Sequence, residues 1–170
     1  FSRKADFSRE VILVNECIHS VNKIIGRQIA LQNIDLKLDL DESIPSVLAH
    51  NNRLEQVIFN LVTNARDAIN ERIELVNDIE KGEICISSFS DHNNVMIVVT
   101  DNGTGIKIDD MDCIFESFYT TKKMGEGLGL GLPIIQGIVR DYNGTISAKN
   151  IETGGASFKL MSPAYIKELQ

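Results

Sequence analysis

The chain has 170 residues, of which 43% are hydrophobic and 24% charged, and its formal net charge is −7. This length and composition are ordinary for a soluble globular protein of one domain with its own core. The negative charge disfavours a nucleic-acid-binding protein, because such a surface needs clustered cations. No apolar run is long enough to span a bilayer, and no signal peptide is visible. We therefore expect a cytoplasmic domain without membrane contact.

The cysteines indicate the redox compartment of the protein, and the first residue indicates whether the chain is a fragment. Cys17, Cys85 and Cys113 lie far apart and lack Cys-x-x-Cys spacing. We predict buried thiols in a reducing compartment rather than disulfides or a metal site. Because the chain begins at Phe1, we expect it to be a fragment, and missing segments of the full-length protein could anchor that protein in a membrane.

The N-terminal half predicts two helices with a strand between them. Apolar residues recur at helical spacing over residues 8–27, and they alternate with polar ones over residues 34–40. A long helix is then predicted from Asn52 to about residue 77. Asn52 and Glu55 have the spacing of a capping box, with Asn in the place of Ser or Thr.

The C-terminal half predicts two hairpins separated by a long loop and a helix. Residues 107–124 lack a sustained period and have mixed charge, so we predict mainly a loop, of the length that lids often have. Asn143-Gly144 is a strong stop signal for the helix before it. The predicted strands and helix cover residues 83–89, 95–100, 131–142, 145–149 and 157–161.

Four glycines alternate with other residues over 125–131, and a predicted helix follows them. Glycine allows the backbone to approach a ligand closely, and the first N–H groups of a helix bind anions. Such a run predicts a polyphosphate site, although a flexible surface loop has the same composition. The spacing matches neither a P-loop nor a dinucleotide-binding loop. A phosphate site here therefore belongs to another nucleotide fold.

A polar stripe runs along the long predicted helix beside its apolar stripe. Gln56, Asn60, Asn64 and Asp67 fall within a narrow arc at 3.6 residues per turn. An ordinary solvated flank has this pattern too. Two Asn residues one turn apart are unusual in a helix, and an amide oxygen can bind Mg²⁺, which takes its other ligands from phosphates and water.

Asp101-Asn-Gly-Thr-Gly105 follows a predicted strand. One interpretation is a turn rich in Asp, Asn and Gly. The other is an ionised carboxylate that accepts a hydrogen bond from the exocyclic amine of adenine, with the glycines letting the base lie against the backbone. Guanine has a carbonyl at that edge.

Four segments together resemble the catalytic ATP-binding domain of sensor histidine kinases of the nitrogen-regulation type. This domain belongs to a superfamily shared with gyrase, heat-shock chaperone and mismatch-repair ATPases. The segments are similar to the N box, the first glycine box, the F box and the second glycine box: residues 60–65, 101–105, 115–122 and 125–131. The resemblance implies an α+β fold, a two-layer sandwich of a mixed, mainly antiparallel sheet with helices on one face and a mobile ATP lid.

The resemblance also implies roles. Asn60 and Asn64 would contact Mg²⁺ and phosphate, Asp101 would select adenine, and Lys122 would act with the two Asn residues in phosphoryl transfer. Phe115 and Phe118 would anchor the lid. The further ATP-contacting positions would be Asp67, Gly103, Gly105, Ile106, Phe118, Thr121, Gly127, Leu128, Gly129, Leu130 and Gly131. Many relatives have a Thr that assists the adenine-binding Asp, and this chain has Ala156 there, followed by Ser157.

The superfamily's ATPases carry a Glu one turn before the metal-binding Asn, as general base. Here the position is Asn60, and an amide cannot accept a proton at neutral pH. We therefore predict a kinase that phosphorylates a His on a separate upstream domain, since His19, His50 and His92 lack an acceptor motif. A non-catalytic nucleotide-binding module and a stand-alone ATPase are the alternatives.

The resemblance implies partners and a domain division as well. The phosphorylated His would feed a response regulator receiver domain, and the full-length protein would be a homodimer. Residues 1–29 would form an N-terminal helix leading from a missing dimerisation and phosphoacceptor domain. Residues 30–170 would be the catalytic domain.

Overall fold

The computed structural model describes residues 8–116 and 131–167. In this part of the chain a short strand comes first, and each of the three helices is then followed by two strands, with a short 3₁₀ turn at Ile108–Asp110. In chain order the elements are β1 (Glu10–Ile12), α1 (Val14–Leu31), β2 (Ile34–Leu40), β3 (Val47–Ala49), α2 (Asn51–Leu75), β4 (Gly82–Asp91), β5 (Asn94–Asp101), α3 (Leu132–Asp141), β6 (Thr145–Asn150) and β7 (Ala156–Pro163).

Five strands form one mixed sheet in the order β2-β4-β5-β7-β6. β2 runs parallel to β4, and the other neighbouring pairs are antiparallel. Alternate residues such as Ile84, Ile86 and Ile97 are buried in one core with the apolar stripes of the three helices. The opposite face carries exposed charges, including the pair Lys37 and Glu83. The predicted two-layer sandwich, with helices on one face, is confirmed.

The N-terminal element differs from the prediction. Residues 8–27 were predicted to be one helix, but β1 comes first and pairs antiparallel with β3. In β1, Val11 is exposed and Ile12 buried, so alternation replaces the helical period there. β3 itself was not predicted, because three residues are too short for a recognisable pattern. The buried side of α1 belongs to the same core as the other helices, and its connection to an upstream domain stays a prediction.

The start of α2 corrects the predicted capping box. His50 is the N-cap residue and makes no side-chain cap, which places Asn52 inside the first turn. Glu55 instead accepts a hydrogen bond from Nδ2 of Asn51, 3.0 Å away. The thiol of Cys17 donates to Oδ1 of the same Asn51 at 3.3 Å, and burial raises the pKa of that thiol to about 12. This contact ties the N-terminal turns of α1 and α2 together.

The remaining cysteines and the end of α3 agree in part with the predictions. All three cysteines are free thiols, but only Cys17 is buried, while Cys85 and Cys113 are half-buried. Asn143 has φ of +58°, and the N–H of Gly144 donates to the carbonyl of Val139, which ends α3 as predicted. Among the described residues, no helix has the length and apolar character that crossing a membrane requires.

Candidate functional site

Asp101 is the last residue of β5, and its carboxylate is at the centre of the candidate site. It continues the alternation of Ile97 and Val99, which are buried against the helices, and its own side chain is only 5% exposed. Oδ1 accepts hydrogen bonds from the backbone N–H of Gly103 at 2.8 Å and of Ala156 at 3.3 Å. Burial raises the pKa of this carboxyl, and the two N–H donors act in the opposite direction. No described residue donates to Oδ2, which leaves that oxygen for a ligand donor.

Gly103 seats the loop after β5 directly on α2. A Cβ atom at Gly103 would lie 2.5 Å from the carbonyl carbon of Ala68, so only a residue without a side chain fits there. The N–H of Thr104 donates to the carbonyl oxygen of Ala68 at 3.2 Å. Ala68 lies one turn beyond Asn64 on the same helix face. The structure thus brings the predicted adenine loop and the polar stripe of α2 together.

The polar stripe of α2 differs from an ordinary solvated flank. Asn60 is 3% exposed, and its Nδ2 has no hydrogen-bond partner among the described residues. Asn64 and Asp67 are half-buried, and Asp67 forms an ion pair with Arg66 at 3.1 Å. Gln56, at the start of the stripe, is exposed. A buried N–H donor without a partner is costly, and an acceptor oxygen of a ligand would satisfy it.

The donor set fits Mg²⁺ carried by a nucleotide better than a metal held by protein alone. Within residues 8–116 and 131–167, no cluster of three or more His, Cys, Asp or Glu side chains could hold a metal ion. Amide oxygens of Asn60 and Asn64 are hard ligands, and Mg²⁺ commonly completes its shell with phosphates and water. The stripe can therefore support a metal that arrives with a polyphosphate.

Asn150, at the end of β6, holds the far end of the loop. Its Oδ1 accepts a hydrogen bond from the N–H of Ile106, and its Nδ2 donates to the carbonyl of Ile106, both at 2.7 Å. Gly105 has φ of +77°, and a Cβ there would lie 3.0 Å from Oδ1 of Asn150. This clamp was missed by the sequence interpretation. The only signal was an amide residue at the end of a predicted strand.

The turn between β6 and β7 packs on the backbone of Asp101. Gly155 has φ of +99°, and a Cβ there would lie 1.9 Å from the carbonyl oxygen of Asp101. Gly154 and Gly155 lie between the two strands predicted over 145–149 and 157–161, and the sequence did not indicate a role for them in the site. Their conformation brings Ala156 close enough to donate its N–H to the carboxylate.

Replacing Gly155 with Ala should displace the β6–β7 turn from Asp101, because the new methyl group would overlap a backbone oxygen and the positive φ would be strained. We expect nucleotide binding to be lost and the midpoint of thermal unfolding to fall. Gly137→Ala is the matched control, since no atom lies within 4 Å of a Cβ at that helical position. Isothermal calorimetry and thermal unfolding of both variants test this, and normal binding by Gly155→Ala would contradict it.

Ser157 follows Ala156, which occupies the position where many relatives have a Thr that assists the adenine-binding Asp. Ser157 lies opposite Thr100 in the sheet, and its hydroxyl accepts a hydrogen bond from Oγ1 of Thr100 at 3.3 Å. Side chains alternate between the two faces of a strand, so this hydroxyl points away from the face that carries Asp101. Ser157 does not substitute for the Thr of relatives, and the backbone N–H of Ala156 is the contact that β7 provides.

Part of the predicted site lies outside the described residues. Gly131 is described and is the N-cap residue of α3, and Phe115 packs partly buried against the core. The first part of the predicted lid loop includes the 3₁₀ turn at Ile108–Asp110. The predicted positions Phe118, Thr121, Lys122, Gly127, Leu128, Gly129 and Leu130 fall outside the structural description.

Comparison with known proteins gives concordant results. The family described as histidine kinase-, DNA gyrase B- and HSP90-like ATPase matches residues 49–166. Sensor histidine kinase ZraS of Escherichia coli strain K12 is 32% identical over 92% of this chain, which covers 31% of ZraS. Sensor kinase CckA of Brucella abortus is 32% identical over 99% of this chain and 18% of its own length. The chain thus spans about a third or less of these curated relatives.

A solved structure matches over nearly its whole length. The catalytic domain of histidine kinase ThkA, in a nucleotide-free form, superposes with a TM-score of 0.78 at 32% identity, covering 92% of this chain and 95% of that one. The predicted resemblance and fold are confirmed. The chain belongs to the family of histidine kinase-, DNA gyrase B- and HSP90-like ATPases and is homologous to the catalytic domains of histidine kinases.

Proposed function

We propose that this chain binds ATP with Mg²⁺ and transfers the γ-phosphoryl group to a His on a separate helical domain. The observation that carries the proposal is the buried carboxylate of Asp101. Its Oδ1 is engaged by two backbone N–H groups, and its Oδ2 has no donor among the described residues. An amine of a ligand would supply that donor, and adenine has one at its exocyclic position.

The two glycine-bordered ends of the loop support the same proposal. Gly103 rests on α2, and Ile106 is clamped by Asn150. With both ends fixed, the loop presents a preorganised surface to a planar base, which reduces the ordering cost of binding. Base recognition would come from Asp101, and phosphate recognition from a different part of the site.

Asn60 and Asn64 would hold the metal through their amide oxygens. Nδ2 of Asn60, which has no partner in the described part of the chain, would donate to a phosphate oxygen. When bound, Mg²⁺ would neutralise charge on the phosphate oxygens. The glycines of 125–131 and Lys122 are proposed to contact the phosphates. Positioning and charge neutralisation are most of what phosphoryl transfer needs from a protein.

Hydrolysis by water would lack a general base. The position one turn before Asn64 is Asn60, which cannot take a proton. Glu55 is near the start of α2, where its Oε1 accepts a hydrogen bond from Asn51. These observations favour a kinase over a stand-alone ATPase.

The acceptor and the downstream partner are part of the proposal. His19 and His92 are exposed, and His50 is 3.0 Å from the hydroxyl of Tyr142. None of their sequences resembles a phosphoacceptor motif, so we place the acceptor on another domain of a homodimeric, full-length protein. A ThkA structure at 30% identity is a complex with response regulator protein TrrA. By analogy, a receiver domain would take the phosphoryl group, on the cytoplasmic side of any membrane.

The test is phosphorylation of the full-length protein with ATP labelled at the γ-phosphate. We expect label that is acid-labile and alkali-stable, as a phosphoramidate is, and that is lost when the acceptor His is replaced. The isolated chain should bind ATP yet hydrolyse it well below ~1 s⁻¹, the low end of ordinary enzymes. Acid-stable label on Ser or Thr, or brisk hydrolysis by the isolated chain, would overturn the proposal.

A further inference from the structure

We propose that Arg72 is a positioning residue that orients Asp101 through the loop after β5 and thereby contributes to selectivity for adenine. The inference rests on the proposed binding of ATP at Asp101. Nothing in the sequence interpretation assigned a role to Arg72, which lies in the last turn of α2.

The guanidinium of Arg72 joins two parts of the chain. Nε donates to Oδ1 of Asp78 at 2.8 Å, and Nη2 donates to Oδ2 of the same carboxylate at 2.9 Å. The remaining nitrogen, Nη1, donates to the carbonyl oxygens of Asn102 at 3.0 Å and Gly103 at 3.3 Å. The side chain is 16% exposed, whereas that of Asp78 is 46% exposed. The bidentate pair fixes the guanidinium plane, and the fixed plane then holds the loop.

Arg72 contacts a residue that itself hydrogen-bonds the carboxylate of Asp101. Arg72 holds the carbonyl of Gly103, and the N–H of Gly103 donates to Oδ1 of Asp101 at 2.8 Å. A shift of this residue would rotate the carboxylate and move Oδ2, the oxygen proposed to accept from adenine. Arg72 would therefore act on the ligand without touching it.

The surroundings of the guanidinium indicate a closely fitted contact. A Cβ at Gly154 would lie 2.5 Å from Nη1 of Arg72, so the β6–β7 turn closes over the guanidinium. On the other side of the loop, Oδ1 of Asn102 accepts a hydrogen bond from the N–H of Glu83 at 2.8 Å, and its Nδ2 donates to the carbonyl of Lys81 at 3.0 Å. The loop is thus held between β4 and the end of α2.

Lys cannot reproduce this contact. A guanidinium has five donors in one plane and can bind a carboxylate and two carbonyls together, whereas an ammonium has three donors on one atom. Arg72→Lys therefore keeps the positive charge but loses the planar set of donors that binds Asp78 and the two carbonyls together. Arg53→Lys is the matched control, because Arg53 lies on the same helix at its other end, 4.0 Å from Asp141.

The experiment measures dissociation constants of ATP and inosine triphosphate by competition with a fluorescent ATP analogue, using the intact protein. Inosine has a carbonyl oxygen where adenine has its amine. We expect Arg72→Lys to raise the dissociation constant of ATP about tenfold, the scale of one charge-assisted hydrogen bond, and that of inosine triphosphate much less. The ratio of the two constants should shrink, and Arg53→Lys should leave it unchanged.

Asp78→Asn is the second variant, and it keeps Arg72 while weakening the bond that orients it. It should shrink the ratio in the same direction by a smaller factor, even if Arg72→Lys folds poorly. An equal loss for both nucleotides, or an unchanged ratio in both variants, would mean a structural role only and overturn the inference. A wild-type protein that binds neither nucleotide would instead overturn the proposed function.

Discussion

Replacing Asp101 with Asn should weaken ATP binding tenfold or more while the fold survives. The amide retains an oxygen for the N–H groups of Gly103 and Ala156, but it loses the negative charge and can present a donor toward the adenine amine. A charge-assisted hydrogen bond contributes roughly 1.5–3 kcal/mol, and about 1.4 kcal/mol corresponds to a factor of ten. Calorimetric titration with ATP measures the change, and an unchanged dissociation constant would remove Asp101 from the site.

Two further measurements make this prediction specific. Burial raises the pKa of Asp101, which means that folding disfavours its charged form, so the neutral Asn should not lower the unfolding midpoint at neutral pH. ATP binding needs the ionised carboxylate and should weaken as the pH falls through the raised pKa. This step should be missing in Asp101→Asn, whose titration would show only the protonation of ATP itself. Identical pH profiles for both proteins would contradict the assignment.

Replacing Asn64 with Ala should abolish Mg²⁺-dependent phosphoryl transfer and spare much of the binding of adenine. Asn64 is proposed as a metal ligand, and a methyl group cannot coordinate a cation. The base contact at Asp101 belongs to a different element, β5. The measurement is transfer of labelled phosphate to the acceptor His in the full-length protein, together with the dissociation constant of ATP with and without Mg²⁺.

Gln56→Ala is the matched control for Asn64→Ala. Gln56 lies on the same polar stripe of α2 but is exposed, so its loss should leave transfer unchanged. In Asn64→Ala, the dependence of ATP affinity on Mg²⁺ should decline along with transfer. Normal transfer by Asn64→Ala would show that the metal-site assignment is wrong.

The elements that the sequence predicted well are those with long local patterns. The apolar stripe of α2 continues through many turns, and the two hairpins show alternation on both sides of their turns, so their existence follows from residues close in the chain. β1 and β3 have three residues each. They form because they pair with each other although they lie far apart in the chain, and no local pattern reports that pairing.

The candidate site likewise contains residues that the sequence indicated and residues that it did not. Asp101 and the glycines after it were singled out by their residue types, and the resemblance of four segments to a known domain favoured a binding role over an ordinary turn. Arg72 and Asn150 were missed because their partners are backbone groups of Asn102, Gly103 and Ile106, distant along the chain. Every residue has a carbonyl, and nearly every residue has an N–H, so residue type does not mark the ones that will be bound. Only the folded arrangement identifies such contacts.

The position of β6 at the edge of the sheet has a consequence for the coupling between folding and ligand affinity. Among the described strands, β6 has a neighbour on one side only, yet its last residue, Asn150, clamps Ile106, and the turn that follows rests on Asp101. If this hairpin detaches, the loop loses both of these supports although the other strands remain paired. A nucleotide that requires the docked hairpin would stabilise it by mass action. The C-terminal hairpin would then open more rarely as the nucleotide concentration rises, and local opening there would limit how long a bound nucleotide stays.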